Sequence, residues 1–265
     1  MKQYLQRKTL TIGNLTISSK DLNIDFEVPF DDDPDPNESI ITVYNLSEDT
    51  INRIKRDQPL SLLVGYEGDE GVILTGRVSK SQTRFDGPDK RTEVYVIDGA
   101  KLDDKKTVKK TYKKNIRASQ VINDLLPKLG LPVAALRLPK DKTYASGLSV
   151  NGSIANKINE LCRDCGASFY ISRGKIYIRS IKEGDDIKFK LSSETGLIEN
   201  PTPFEEENDG KIIRGYHVSC LLQHRITTGS IIEISSKTVK GKFRVRNGNH
   251  IAADTDFFTE MDVLI

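Results

Sequence analysis

Alternation of apolar and polar side chains dominates the first part of the chain. Leu22-Asn-Ile24-Asp-Phe26-Glu-Val28 switches at every position, the period of a strand with one buried and one wet face. Asp31-Asp-Asp-Pro34-Asp-Pro36-Asn37 then breaks the pattern with like charges and fixed φ, which predicts a solvated loop. A mostly buried strand follows over residues 40–46. Ser47 is placed to cap a short helix, with Glu48 and Asp49 in its first turn, Ile51 and Ile54 on one face and Pro59 as its stop. Two apolar runs, 60–66 and 72–78, flank the Gly-bearing stretch 67–71 and predict a hairpin, and a further strand over 92–97 follows a turn at 86–89.

The pattern changes after Asp98. Eight basic residues and few apolar ones lie between Lys101 and Arg117, which predicts a connector or an exposed hairpin and no core element. The period then becomes helical: from near Ser119, residues Val121, Ile122, Leu125, Leu126 and Leu129 share a face, with Gly130 just past the end and Pro127 costing some regularity. A second helix begins at the cap Ser153 and carries Ile154, Ile158, Leu161, Cys162 and Cys165 on one stripe, with Gly166 closing it. Strands over 168–172 and 175–180, joined at Arg173-Gly174, complete an α+β stretch over 115–182. Strands return after Ile187, over 212–222, 230–234, 243–245 and 257–263, with turns expected at 228–229, 240–241 and 247–248. Glu205-Glu-Glu-Asn-Asp209 reads as a second acidic loop.

Composition narrows the class. In 265 residues, 37% hydrophobic and 29% charged side chains exclude collagen-like and wholly disordered chains. Forty basic against 38 acidic groups leave a net charge of +2, so no global field recruits nucleic acid or an anionic membrane. No run approaches the roughly 18 apolar residues that cross a bilayer, and residues 1–8 lack the apolar stretch of a signal peptide. Three cysteines, an odd number, fit a reducing compartment, so the expectation is synthesis in a cytoplasm without a membrane anchor.

Candidate chemistry is sparse. Trp is absent and only three His occur. Cys162-Arg-Asp-Cys165 has the spacing of half a zinc site, but no second pair of ligands accompanies it, and both thiols lie on an apolar helical stripe where Cys packs as a small hydrophobe. His217 and His224, seven residues apart, are expected on opposite faces of a strand. The acidic stretches lack the alternating ligand spacing of a calcium loop. No nucleophile elbow, phosphate loop or metalloprotease motif is present, so no catalytic residue, metal site or cofactor is assigned. One segment stands out electrostatically: Lys105, Lys106, Lys109, Lys110, Lys113 and Lys114 place six positive charges in ten residues. Only Tyr112 interleaves them, which is poor equipment for stacking on single-stranded nucleic acid. Docking onto an acidic protein surface is the expectation for this segment.

Several phrases, in order, resemble the baseplate (tail) hub proteins of contractile-tailed bacteriophages and related phage-tail-like particles. Ile41-Thr-Val-Tyr44-Asn45-Leu46-Ser47 and the hairpin ending Leu74-Thr-Gly76-Arg-Val78 are similar to that family's first domain. Arg117-Ala-Ser-Gln-Val-Ile122, Leu148-Ser-Val-Asn-Gly-Ser153, Gly166-Ala-Ser-Phe-Tyr170 and Gly174-Lys-Ile-Tyr-Ile178 resemble its central insert. Gly196-Leu-Ile-Glu-Asn-Pro201, His217-Val-Ser-Cys-Leu-Leu222, Thr228-Gly-Ser-Ile-Ile-Glu-Ile234 and Gly241-Lys-Phe-Arg-Val245 with His250 resemble its last β domain.

The resemblance implies an α+β, mainly β protein: a first tube-like β-barrel domain over 1–100, a basic connector and α+β insert over 101–185, and a second barrel over 186–265. It implies a non-enzymatic virion component, a homotrimeric hub ring in the tail baseplate that adapts a six-fold tail tube to a trimeric central spike. Implied partners are the tail tube protein, the central spike protein, the tape-measure protein and baseplate wedge proteins, with DNA only in transit through the lumen. Assembly is expected in the host bacterial cytoplasm. Two other classes compete: a nucleic-acid-binding protein built of small β-barrels, and a tail-tip cell-wall hydrolase.

Overall fold

The computed structural model describes residues 5–33, 35–98, 106–208 and 211–265. It divides into two compact units, one made of Met1–Asp31, Asn37–Asp98 and Gly184–Ile265, the other of Asp32–Pro36 and Gly99–Glu183. The architecture is α+β and mainly β.

The larger unit opens with β1 (Gln6–Ile12) and β2 (Leu15–Ser18), a hairpin that precedes the first strand expected above. Its signal is ordinary: Leu10, Ile12 and Ile17 turn inward on either side of Gly13-Asn14, and Gly13 takes φ +56°. β3 (Ile24–Phe30) buries Ile24, Phe26, Val28 and Phe30, as its alternation requires. β4 (Glu38–Tyr44) leads into helix α1 (Glu48–Arg53), where Ser47 Oγ accepts the Thr50 N–H at 3.1 Å. Pro59 does not stop that helix, which ends at Arg53; it opens β5 (Pro59–Tyr66), a strand start being a place where its missing N–H costs little.

β6 (Asp69–Asp86) and β7 (Asp89–Asp98) both outrun expectation. The turn between β5 and β6 is only Glu67-Gly68, because Asp69–Gly71 already pair with Val64–Tyr66. Residues 79–86 have no apolar face to announce them, yet the ladder to β7 holds them, and cross-strand bonds such as Thr83–Thr92 (3.1 Å) and Gln82 to Glu93 (2.7 Å) decorate it.

The smaller unit contains β8 (Thr107–Tyr112), β9 (Ile116–Arg117), helix α2 (Ala118–Leu125) with a 3₁₀ turn over Leu126–Leu129, β10 (Val133–Leu136), β11 (Thr143–Tyr144), β12 (Leu148–Ser153), helix α3 (Ile154–Asp164), β13 (Ser168–Ser172) and β14 (Lys175–Arg179). Pro127 turns the end of the first helix into 3₁₀ form, and Gly130 at φ +76° closes it. Ser153 occupies the cap position of α3 without capping it through its side chain; the free Ile154 N–H goes instead to the Lys106 carbonyl. Arg173 and Gly174, both at positive φ, make the tight β13–β14 turn that the sequence predicts. The core gathers Val121, Ile122, Leu125, Ile158, Phe169 and Ile176.

The chain then re-enters the larger unit through β15 (Asp185–Leu191), β16 (Thr202–Asn208), β17 (Lys211–Leu221), β18 (Ser230–Ser235), β19 (Lys240–Ala253) and β20 (Asp256–Leu264). Three expectations are corrected here, the first being the turn at Lys240-Gly241: both residues lie in β19, paired with Ser235 and Ile234. Glu205–Asn208 belong to strand β16, paired with β17, and not to an acidic loop; Asp209 lies outside the described residues. Asn247-Gly248 is not a turn but the interior of β19, just past a register shift between Val245 and Asn247. Glycine is needed there for space, since a Cβ on Gly248 would stand 2.2 Å from the Glu260 carbonyl and 2.5 Å from the Phe30 ring.

Pairing of β19 with β3, from Gly248↔Phe30 to Ala252↔Phe26, joins the first and last β segments in one sheet of order β16-β17-β20-β19-β3-β4-β7-β6-β5-β1-β2, with β18 on β19 and β15 beside β18. Two cores lie under it. One is drawn almost wholly from the first segment around Leu10, Ile41, Leu62 and Val96, the other from the last segment around Leu191, Cys220, Ile232 and Val263. No helix among the described residues is long and apolar enough to cross a membrane.

Candidate functional site

The basic segment is a strand. β8 pairs with β12 over the register Leu148↔Tyr112 to Ser153↔Thr107, so Val108 and Val150 turn to the core of the smaller unit while Thr107, Lys109, Thr111, Ser149 and Asn151 form the opposite, exposed face. The lysines divide accordingly. Lys110 Nζ reaches Asp124 Oδ2 of α2 at 2.8 Å, beside the Tyr112 hydroxyl that donates to the same oxygen at 2.6 Å. Lys106 Nζ lies 3.5 Å from the Leu129 carbonyl at the end of the 3₁₀ turn, where the unpaired carbonyls favour a cation. Lys109, Lys113 and Lys114 are exposed and have no ion pair among the described residues. Lys105 lies outside the described residues.

The same clamp recurs in the smaller unit. Lys142 and the Tyr144 hydroxyl meet Asp164 of α3 at 2.9 and 2.7 Å, as Lys110 and Tyr112 meet Asp124. Each lysine also lies over its tyrosine ring, at 5.0 Å for Lys110 and 5.2 Å for Lys142. The hydrogen bonds from lysine and tyrosine hold both carboxyls below the ordinary aspartate range, while burial and then the acceptor carboxylate push both phenols up.

On the larger unit, the outward face of β3, β19, β20 and β17 is polar and largely acidic, with Glu27, Asn249, Glu260 and Ser219 close to one row and Asp262 and His217 in the next. Two shallow clefts open there. One, of about 360 Å³, is bounded by Pro29, Phe30, Asp31, Glu260, Met261 and Asp262; the other, of about 190 Å³, adjoins it at His217 and Glu199. His217 Nδ1 sits 2.5 Å from Asp262 Oδ1 with its ring against Phe204. Asn249 Nδ2 donates to Glu27 at 2.9 Å, while its Oδ1 is buried with no donor among the described residues.

The remaining singled-out residues are structural. Cys162, Cys165 and Cys220 are buried, and burial pushes the Cys162 and Cys220 thiols to about 12, the neighbouring Cys165 adding to the effect at Cys162. His250 is buried between Thr259 (2.9 Å) and the Ile226 carbonyl (3.2 Å). His217 and His224 do not occupy opposite faces of one strand, because β17 ends at Leu221; His224 lies in the loop beyond, 3.9 Å from Asp69. Arg225 donates to both oxygens of that Asp69, one bond measuring 3.0 Å. Sequence reasoning missed this pair because nothing local links residues 156 apart. Among the described residues no group of three or more His, Cys, Asp or Glu is placed to hold a metal.

No protein-family profile matches the chain, and no curated protein does. Solved structures do. A tail protein of Neisseria meningitidis MC58 superposes over 99% of this chain and 97% of its own with a TM-score of 0.69 at 8% identity. The 43 kDa tail protein of Shewanella oneidensis prophage MuSo2 matches over 97% and 98% with a TM-score of 0.69 at 9% identity. The E. coli c3393 protein, a type VI secretion component described as structurally similar to the T4 tail proteins gp27 and gp5, matches over 97% and 76% with a TM-score of 0.66 at 11% identity. The fold is thus that of phage tail proteins.

Proposed function

We propose that the chain is a structural protein of a phage tail or tail-like particle, and within it the hub: a three-copy ring that joins a six-fold tube to a trimeric spike. The observation that carries this reading is coverage. The likeness to tail proteins runs through both β segments and the insert, nearly end to end in both chains of the first two pairs, so the whole architecture and not one common module is shared. Two β segments with separate cores in one sheet fit a chain that offers two similar domains to a ring, three chains then meeting six tube subunits. Closed cyclic symmetry buries every equivalent contact surface once. The task is mechanical and not catalytic, and the partners are a tube protein above, a spike protein below, a tape-measure protein in the lumen and baseplate proteins around the ring, with DNA in transit. Within this reading Lys109, Lys113 and Lys114 dock onto an acidic surface of a neighbouring tail protein.

Mass measurement tests it. The assembled state, alone or with its spike, should weigh about 90 kDa per ring of this chain, three times 29.7 kDa, and class averages should show three-fold symmetry. A six-copy ring, or clearance of peptidoglycan by the purified chain, would overturn the assignment.

A further inference from the structure

Two features of the larger unit fit each other but cannot meet within one chain. The first is the tip of the β6–β7 hairpin, where Phe85 is 79% exposed. A large aromatic side chain among cationic neighbours has the make-up of an interface anchor. Cationic side chains stand close to it in the ladder: Arg84 precedes it, Lys90 is its cross-strand partner, and Arg91, which pairs with Glu93 at 3.6 Å, faces Arg84. Of the two acidic residues in the turn, Asp89 is turned to the side chain of Asn45 at 2.9 Å. The second feature is the cleft of about 360 Å³ between β3, β19 and β20, whereas about 150 Å³ suffices for a benzene ring. Pro29, Phe30 and Met261 give it apolar walls, and Asp31, Glu260 and Asp262 give it an acidic rim with no lysine or arginine among its bounding residues.

We infer that Phe85 of one copy seats in this cleft of a second copy, with Arg84, Lys90 and Arg91 against the acidic rim. A chain cannot fill its own cleft. Thr83 lies on the same cross-sheet row as Thr92, Val43 and Ile24. Phe30 is six residues along β3 from that row, and Phe85 two residues along β6 in the opposite direction, which separates them by about 26 Å along the strands alone. The contact is therefore between different patches on two copies, the head-to-tail kind that closes rings. The inference rests on the reading that copies of this chain assemble with one another, and it names the contact.

The test is a photo-cross-linking phenylalanine analogue at position 85 in the full chain, irradiated in a mixture of ¹⁵N-labelled and unlabelled protein at assembling concentration. Cross-links between copies to residues 29–31 or 260–262 are expected; cross-links elsewhere, or none, overturn the contact. In parallel, F85A should weaken self-association measured by sedimentation about thirty-fold, the loss typical of a central aromatic anchor, with no change in melting temperature because the side chain is exposed. E260R should weaken it too, and R84E with R91E should restore part of the loss in an E260R background. An F85A chain that associates as the parent does removes this contact while leaving the three-copy ring standing. Cross-links at the cleft in an assembly that is not three-fold remove the hub ring and leave the contact.

Discussion

Asp69 shows how one side chain ties the two β segments of the larger unit. It opens β6 just past the Glu67-Gly68 turn, and Arg225 from the loop after β17 grips both its oxygens while His224 covers Gly71, where a Cβ would stand 2.1 Å from the imidazole. The hydrogen bonds from Arg225 hold the Asp69 carboxyl below its ordinary range against the opposing effect of burial. A depressed carboxyl contributes stability that is present above the unfolded-state value of about 4 and lost as pH falls through the folded one. Asp69→Asn should therefore cost about 1–2 kcal/mol at pH 7, the lower part of the range for charge-assisted bonds because Arg225 is 39% exposed. Its deficit relative to the parent should shrink in urea melts as pH is lowered from about 5 towards 2; a deficit independent of pH would refute the electrostatic account. The cysteines make a different kind of test. With all three buried, none should react with a thiol reagent in the native protein and all should react in denaturant. Replacing Cys162 and Cys165 together by Ala should cost roughly 1–3 kcal/mol through lost packing, and stoichiometric zinc in the parent protein would contradict that assignment.

At the level of elements, what was legible followed from where the stabilising information sits. Helices α1, α2 and α3 and the β13–β14 hairpin were readable because cap residues, apolar period and turn residues are local. The outer half of β6 and the Glu205–Asn208 part of β16 were not, since their own residues carry no apolar stripe and partner strands supply the ladder. Asn247-Gly248 misled for a related reason: its glycine serves a close approach of the Phe30 ring and not a reversal. The cationic character of β8 was plain from sequence, but its division of labour was not, because Asp124 and the Leu129 carbonyl reach Lys110 and Lys106 only through the fold. That division sharpens the prediction. Reversing Lys109, Lys113 and Lys114 to Glu should impair tail or ring assembly while circular dichroism and melting temperature stay nearly unchanged, since exposed charges contribute little to stability. Reversing Lys110 should in addition destabilise the smaller unit, because it turns an attraction at Asp124 into repulsion. Normal assembly of the triple variant with a large loss of DNA binding would favour a nucleic-acid role instead.

For the whole molecule, the net charge of +2 conceals a separation that no composition reveals. Strand order puts Asp31, Glu260 and Asp262 around one cleft, though they come from opposite ends of the chain, and sets Lys109, Lys113 and Lys114 on or just past a ribbon built from residues 107–153. The acidic face depends on β19 pairing with β3 across more than 200 residues of sequence, as Asn249 and Glu27 do at a separation of 222, and single-sequence periodicity has no access to such a register. A protein with little net charge but separated cationic and anionic patches should associate through them, and such attraction is screened when the Debye length falls from about 10 Å at 0.1 M salt to about 3 Å at 1 M. Self-association should therefore weaken by at least about tenfold over that range, whereas the melting temperature should move little because the folded cores are apolar. The sign is informative, since apolar contacts alone would be unchanged or strengthened by salt. Sedimentation of the full chain at the two salt concentrations decides it: association that is indifferent to salt, or tighter at 1 M, would show that complementary charge does not steer this assembly.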